Sequence, residues 1–109
     1  MDNKQELETK EAENKPNFYS VIPACVRYDS RLSPSEILLY GDISSLCNKD
    51  GYCWASNSYF SKLWNKDKAT ISRWVSKLKS CGHIRTKVVY KQGTKEIESR
   101  YIYITKELG

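Results

Sequence analysis

The pattern of apolar and polar residues predicts that the first long helix begins at residues 33–36 (Ser-Pro-Ser-Glu). A serine that can cap, a proline at the first helical position and a glutamate that completes the capping box are typical of a helix N-terminus. Apolar residues then recur at helical spacing as far as Cys47. Gly41 lowers helix propensity by about 1 kcal/mol relative to alanine, which indicates that another helix crosses closely there. Residues 48–51 (Asn-Lys-Asp-Gly) predict the turn that ends this helix.

A second and a third helix are predicted further along the chain, with a tight turn between them. The second helix begins at Ser56 and continues as far as Trp64. Asn65 fits the turn because asparagine enters the left-handed backbone conformation more readily than most residues. An aspartate cap and a glycine after the last turn predict a third helix over residues 67–81, ending at Gly82.

Extended segments are predicted around these helices. Residues 52–54 (Tyr-Cys-Trp) predict a short strand, and alternating residues predict two longer strands at 83–90 and 97–104. The glycine-containing loop over residues 91–96 joins the longer strands as a hairpin. The resulting order predicts an α+β winged helix-turn-helix, which has a three-helix core and a C-terminal β-hairpin wing.

The N-terminal residues differ in composition from this pattern. Residues 1–16 are charged, contain no aromatic residue and end at a proline, which predicts a disordered tail. A single winged helix-turn-helix domain is therefore predicted over residues 17–105, with residues 24–32 as a connection into the first long helix.

Charge is distributed unevenly along the chain. The formal net charge is +5, but residues 1–15 carry five acidic against three basic side chains, a net of −2. Residues 60–100 carry eleven basic against three acidic side chains, a net of +8. A basic block of this kind indicates an anionic partner, either nucleic acid or an acidic membrane. No apolar run reaches the length of a membrane span and the N-terminus is not typical of a signal peptide, so we expect a cytoplasmic protein without a membrane partner.

The predicted helix over residues 67–81 has two faces of different composition. Ile71, Val75 and Leu78 share one side, which predicts a buried stripe. On the opposite side, small side chains surround one arginine, and no acidic residue follows the capping aspartate. Small residues permit close approach to a groove wall and arginine can form two hydrogen bonds with guanine, so this face is predicted to contact the bases of double-stranded DNA. The predicted base contacts are Ala69, Ser72, Arg73 and Ser76.

Side chains around this face are predicted to bind DNA phosphates, which position a protein without reading sequence. The hairpin loop adds a second contact, since basic wing tips commonly follow phosphates or enter the minor groove. The predicted phosphate contacts are Lys66, Lys68, Thr70, Lys77, Lys79, Lys91 and Lys95.

Several of these side chains have a structural alternative. Thr70 could stabilise the helix, the wing lysines could protect an exposed strand edge, and the small residues of the helix face could be an indifferent surface. Tyrosines at positions 90, 101 and 103 could stack on the bases of a single strand, although cross-strand packing fits their spacing better. Arg85 is left unassigned.

The cysteines and the single histidine do not suggest a catalytic or metal site. The four cysteines are not arranged as C-x-x-C, so they are expected to be reduced thiols that fill the core as small residues. The sequence contains no paired carboxylates, no nucleophile with a neighbouring base and no phosphate-binding loop that could support catalysis. We therefore expect a protein without enzymatic activity, metal or cofactor.

Four stretches together resemble a known family. They are residues 18–24 (Phe-Tyr-Ser-Val-Ile-Pro-Ala), residues 32–43 with Leu-Ser-Pro and Leu-Tyr-Gly-Asp-Ile, residues 48–57 with Asn-Lys-Asp-Gly-Tyr-Cys-Trp, and residues 70–74 (Thr-Ile-Ser-Arg-Trp). Over residues 17–104 the chain resembles the N-terminal winged-helix domain of replication initiators, the DnaD-like replisome organisers of phages and plasmids of Gram-positive bacteria. It departs from the family at the turn, where Asn65 replaces the usual glycine and Lys66 replaces a hydrophobic residue.

The resemblance implies binding of repeated DNA sites at a replication origin through the helix over residues 67–81. It also implies replication proteins such as a helicase loader as partners, which family members usually recruit through a C-terminal region. A winged-helix transcriptional regulator is the alternative within DNA binding, and a protein-interaction module that does not bind DNA is the alternative outside it. A palindromic target site would indicate a homodimer.

Overall fold

The computed structural model describes residues 20–47 and 51–105 of the 109-residue chain. The predicted tail over residues 1–16, and residues 48–50 of the predicted turn, lie outside the described residues. The elements are α1 (Ala24–Arg27), α2 (Pro34–Cys47), α3 (Asn57–Trp64), α4 (Lys68–Ser80), β1 (Ile84–Tyr90) and β2 (Ile97–Ile104). Their order confirms the predicted α+β winged helix-turn-helix. Among the described helices, none has the length and apolar character that a membrane span requires.

Side-chain caps set where α2 and α3 begin. The predicted capping box is formed: the Glu36 N–H donates to Ser33 Oγ at 3.3 Å, and the Ser33 N–H donates to Glu36 Oε1 at 2.8 Å. At α3 the Tyr59 N–H donates to Ser56 Oγ at 3.1 Å. These caps satisfy backbone donors that have no partner within the helix, so both helices begin where the sequence predicted.

The core forms where α4 packs against α2, α3 and β1. The large, fully buried side chains in it include Leu39 and Ile43 of α2, Phe60 of α3, Ile71 and Leu78 of α4, and Ile84 and Ile102 of the strands. Burying a side chain of this size contributes about 1.5–3 kcal/mol. The core therefore holds α4 by its inner side and leaves the outer side to solvent.

The strands β1 and β2 form an antiparallel hairpin, and a third segment joins its edge. The register places Ile84 opposite Ile104 at the base of the hairpin. Cys53 pairs with Ile102 through two backbone hydrogen bonds with N···O distances of 2.7 and 2.9 Å. The predicted strand over residues 52–54 is thus a single bridge on the edge of the hairpin.

Two predictions about the N-terminal half are wrong. Residues 24–32 are not a plain connection, because they contain the four-residue helix α1, whose Val26 is buried. A helix this short shows no apolar periodicity from which it could be predicted. Gly41 is not crossed by another helix: a Cβ there would lie 3.1 Å from Ser20 Cβ and 3.2 Å from Ile22 Cδ1. The close approach is made instead by the segment that precedes α1.

The cysteines occupy different environments. Cys47 and Cys53 are buried and Cys81 is half-buried, as expected for small core residues, but Cys25 is exposed and that part of the prediction is wrong. A hydrogen bond with the Cys53 thiol, together with burial, raises the pKa of Cys47. Within the described residues, no three His, Cys, Asp or Glu side chains are grouped so that they could hold a metal ion.

Candidate nucleic-acid interface

A left-handed residue makes the turn between α3 and α4. Asn65 has φ 54° and ψ 48°, as the sequence predicted. Its N–H donates to the Lys62 carbonyl at 3.4 Å, and the Lys66 N–H donates to the Ser61 carbonyl at 3.0 Å. These bonds close the C-terminus of α3, so that α4 follows after residues 65–67 and forms the second helix of a helix-turn-helix.

The N-terminus of α4 is capped by the residue that the sequence predicted. Asp67 Oδ1 accepts a hydrogen bond from the Thr70 N–H at 2.7 Å. Hydrogen bonding to Thr70 lowers the pKa of Asp67 below its ordinary value, so the cap is a carboxylate at neutral pH. A negative charge there also stabilises the positive end of the helix dipole. The helix ends at Ser80, and Gly82 follows its last turn with φ 82°.

The faces of α4 are separated as the helical period predicts. Ile71, Val75 and Leu78 are buried, with at most 6% of their surface exposed. The predicted base contacts are all exposed: Ala69, Ser72, Arg73 and Ser76. We call these four residues the outer face of α4. They fall within about 100° of arc, because each residue advances about 100° around the helix.

A pair of tryptophans holds α3 and α4 together beside the turn. The rings of Trp64 and Trp74 meet edge to face, with centroids 5.0 Å apart. Trp64 Nε1 also donates to Asp42 Oδ2 of α2 at 2.8 Å. Burial raises the pKa of Asp42, and this hydrogen bond opposes the shift. The middle of α4 is thus packed on α3, which is itself hydrogen-bonded to α2, and this limits how far the outer face can shift.

Arg73 is oriented by its own helix. Its Nη2 donates to Thr70 Oγ1 at 3.0 Å, a bond between residues one turn apart. Thr70, a predicted phosphate contact, is half-buried and therefore also has a role within the helix. The bond directs the guanidinium toward the N-terminal end of α4 and uses one of its five donors.

The other predicted phosphate contacts lie on α4, on the turn before it and on the hairpin loop. Each of them is exposed: Lys66, Lys68, Lys77, Lys79, Lys91 and Lys95. In the loop, Lys91 Nζ lies 3.4 Å from Glu96 Oε2, and both side chains are largely exposed. An exposed pair of this kind contributes little to stability, so Lys91 can exchange the carboxylate for a phosphate at small cost.

Arg100 connects the wing to the helix-turn-helix, a role that the sequence reasoning missed. It lies on β2, and its guanidinium donates to Asn57 Oδ1 at 2.8 Å and to the Ala55 carbonyl at 2.9 Å. A signal was present in the sequence. Residues two apart on a strand share a face, so Arg100 lies on the same face as Ile102 and Ile104. The bridge fixes the orientation of the wing against the N-terminus of α3.

A buried pair ties the start of the wing to the segment between α1 and α2. His83 Nε2 and Asp29 Oδ2 are 2.7 Å apart. Only 8% of the His83 side chain and 7% of the Asp29 side chain are exposed. Arg31 Nη2 also donates to Asp29 Oδ2 at 2.7 Å. Hydrogen bonds from Arg31 and His83 hold the pKa of Asp29 well below its usual range. No sequence spacing reveals the pair, because its partners are 54 residues apart.

Comparison with known proteins bears on the middle of the chain. A family model described as a helix-turn-helix domain matches residues 30–84, which is half of the chain. The matched residues contain α2, α3, the turn and α4, and end at the first residue of β1. No curated protein and no solved structure matches the chain.

Proposed function

The chain belongs to the helix-turn-helix domain family, and on this basis we propose that it binds double-stranded DNA by placing α4 in the major groove. The outer face of α4 is the observation that supports this function best, since small side chains and one arginine are exposed opposite a buried stripe. The major groove is about 12 Å wide and admits an α-helix of about 10–12 Å diameter. Small side chains let the helix approach the base edges closely, so that Arg73 can reach them.

Within this interface, base contacts and phosphate contacts have different roles. The Arg73 guanidinium can donate two hydrogen bonds to guanine O6 and N7. The Ala69 methyl group fits against a thymine methyl group, and the Ser72 and Ser76 hydroxyls can hydrogen-bond to base edges. The side chains that position α4 on the phosphates are Lys66, Lys68, Thr70, Lys77 and Lys79.

The hairpin loop over residues 91–96 contributes a second contact, on the DNA backbone or in the minor groove. Lys91 and Lys95 are exposed there. Because Arg100 holds β2 against the segment before α3, the loop has a defined direction relative to α4. Contacts on both sides of α4 would set its register in the groove.

A replication origin of a phage or plasmid is the target that the resemblance over residues 17–104 favours. At such an origin the protein would bind repeated sites and act with replication proteins such as a helicase loader. A transcriptional regulator would use the same interface at a promoter. Footprinting of the DNA around the gene separates the two, because an array of repeated sites indicates an origin and one site over a promoter indicates a regulator. A palindromic consensus site would indicate that the protein binds as a homodimer.

Replacing Arg73 with alanine tests whether this residue reads bases. Selection from a random pool of duplex oligonucleotides supplies the specific site, and both proteins are then titrated against that site and against random duplex. We expect Arg73→Ala to lose about 1–3 kcal/mol on the specific site and little on random duplex. Equal losses on both would show that Arg73 binds a phosphate.

The dependence of affinity on salt separates DNA binding from a protein-interaction role. The logarithm of duplex affinity should fall linearly with the logarithm of salt concentration, with a slope of about −0.9 for each phosphate neutralised. Removing one phosphate contact with Lys68→Met should reduce that slope by about one. No duplex binding, together with a mass that rises with protein concentration, would favour a protein-interaction module.

A further inference from the structure

The solvent face of the wing carries an aromatic and basic surface that the proposed duplex interface does not use. The register places Arg85 opposite Tyr103 and Lys87 opposite Tyr101. Both basic side chains are exposed and both tyrosines are half-buried. Tyr52, next to the edge bridge, packs on the two tyrosines, with ring centroids 4.6 and 6.1 Å away. We call these five residues the tyrosine face.

The three rings of the tyrosine face are held in place before any ligand binds, because Tyr52 packs on both of the others. The rings of Tyr52 and Tyr101 meet edge to face, with an interplanar angle of 67°. The Arg85 guanidinium lies over the Tyr103 ring, 5.6 Å from its centroid. Side chains that are already ordered lose less conformational entropy when a ligand binds.

An open hollow lies beside this face at the base of the hairpin. Its volume is about 470 Å³, and it is lined by Gly51, Arg85, Tyr103, Ile104 and Thr105. Small-molecule sites commonly have volumes of about 300–1,000 Å³, so the hollow can take a nucleotide-sized group. The lining offers such a group an aromatic ring, a guanidinium and a threonine hydroxyl.

We propose that the tyrosine face is a second nucleic-acid site, which binds an extended single strand. Bases stack on Tyr101 and Tyr103. The base on Tyr103 takes the place of the Arg85 guanidinium, which then holds a phosphate together with Lys87. Aromatic side chains interleaved with basic ones are the arrangement by which proteins bind single strands without reading sequence.

The spacing of the two tyrosines favours a single strand over a duplex. Residues two apart on one strand are separated by about 6.6 Å, and Tyr101 and Tyr103 are such a pair on β2. Successive bases of a duplex strand rise by about 3.4 Å and stay stacked on each other. Bases bound to both rings must be unstacked from each other, which an extended single strand permits.

Single-strand binding is tested with labelled oligo-dT and oligo-U of about ten nucleotides, a length within the range that single-strand sites cover. Fluorescence anisotropy measures the affinity of the whole protein for each, and the comparison shows whether the ligand is DNA or RNA. We expect Tyr101→Ala and Tyr103→Ala each to weaken binding about fivefold or more, and the matching phenylalanine variants to retain it, because stacking needs the ring alone. Tyr28→Ala is the matched control: Tyr28 is 76% exposed and Arg27 lies 5.3 Å from its ring centroid, but it is outside the tyrosine face.

The basic residues and the duplex interface give independent tests. Arg85→Met and Lys87→Met should each reduce the salt slope of single-strand binding by about 0.7, the value for one phosphate contact. Circular dichroism shows whether each alanine variant folds. If one does not, Arg85→Met and Lys87→Met test the second site in its place. Arg73→Ala should leave single-strand affinity unchanged, and the tyrosine variants should leave duplex affinity unchanged.

Three results would overturn this second site. They are the absence of wild-type binding to both oligonucleotides at low salt, equal affinities of the tyrosine-face variants and Tyr28→Ala, and a loss of single-strand binding in Arg73→Ala that matches its loss on duplex. Failure of duplex binding alone would contradict the proposed function and leave the tyrosine face standing, since the two interfaces share no residue.

Discussion

Replacing Arg100 with methionine should destabilise the fold, because this side chain bridges the wing and the helix-turn-helix. The variant removes the hydrogen bonds to Asn57 Oδ1 and to the Ala55 carbonyl, at 2.8 and 2.9 Å. Methionine retains much of the length of arginine but cannot donate. The Ala55 carbonyl belongs to a fully buried residue, so it would lose a partner in a place that water does not readily reach.

Two effects of opposite sign set the size of this loss. Hydrogen bonds that involve a charged group contribute about 1.5–3 kcal/mol each. Against this, burial disfavours the charged guanidinium and lowers the pKa of Arg100, and within the described residues its Nε has no hydrogen-bond partner. Methionine relieves that cost. Because removing the burial cost offsets only part of the two lost hydrogen bonds, we expect a net loss of about 2 kcal/mol. This corresponds to about 8–16 °C in melting temperature for a domain of this size.

Chemical and thermal unfolding, followed by circular dichroism, measure this loss. Arg100→Lys is the matched control, since an ammonium can keep one of the two bonds and should lose about half as much stability. A double-mutant cycle with Asn57→Ala should give a coupling energy of about 1 kcal/mol between the two residues. A change below about 0.5 kcal/mol in Arg100→Met would refute the reasoning, because a surface substitution does no more. Zero coupling would refute the bond to Asn57 alone.

Three further sites test the turn, the buried pair and the cap of α4. Asn65→Ala should cost about 1 kcal/mol because φ is 54° there, whereas Asn65→Gly should be as stable as the wild type; equal unfolding free energies of the two variants would contradict this. Hydrogen bonds from Arg31 and His83 lower the pKa of Asp29 in the folded state, so its contribution to stability is present above the ordinary value of 3.8 and is lost as the pH falls below it. The melting temperatures of the wild type and Asp29→Asn should therefore converge in acid, and a constant difference would count against the pair. Asp67→Ala should lose about 1 kcal/mol in urea unfolding and Asp67→Ser much less, since serine also caps; equal losses would assign the effect to charge.

Features whose causes act over a few residues could be predicted from the sequence. The capping box at residues 33–36, the left-handed Asn65 and the glycine after α4 each act on their own turn of backbone, and each lies where it was predicted. The exposed outer face of α4 follows from the helical period once the apolar stripe is identified. Whether that face contacts bases stays a prediction, because exposure does not identify a ligand.

Contacts between distant residues could not be predicted in the same way. Asp29 and His83 are 54 residues apart, and Arg100 and Asn57 are 43 apart. Their pairing depends on how the helices and the hairpin pack, which one sequence does not specify. Gly41 shows the limit between the two cases: its small size correctly indicated a close approach, but nothing in the sequence indicated that the segment before α1 would make it.

Because Cys47 and Cys53 are buried, their reaction with a thiol reagent can report local opening of the fold. Cys53 pairs with Ile102 of β2, and the Cys47 thiol donates to the Ile102 carbonyl at 3.5 Å. A thiol reagent can therefore reach them only when the end of α2 and the hairpin separate, and the raised pKa of Cys47 keeps it in the unreactive form until then. The exposed Cys25 needs no such opening and supplies an internal reference for the reagent. With the half-buried Cys81 replaced by serine, the ratio of the labelling rates converts into a free energy for wing opening, which can be followed at constant pH as salt or nucleic acid is added.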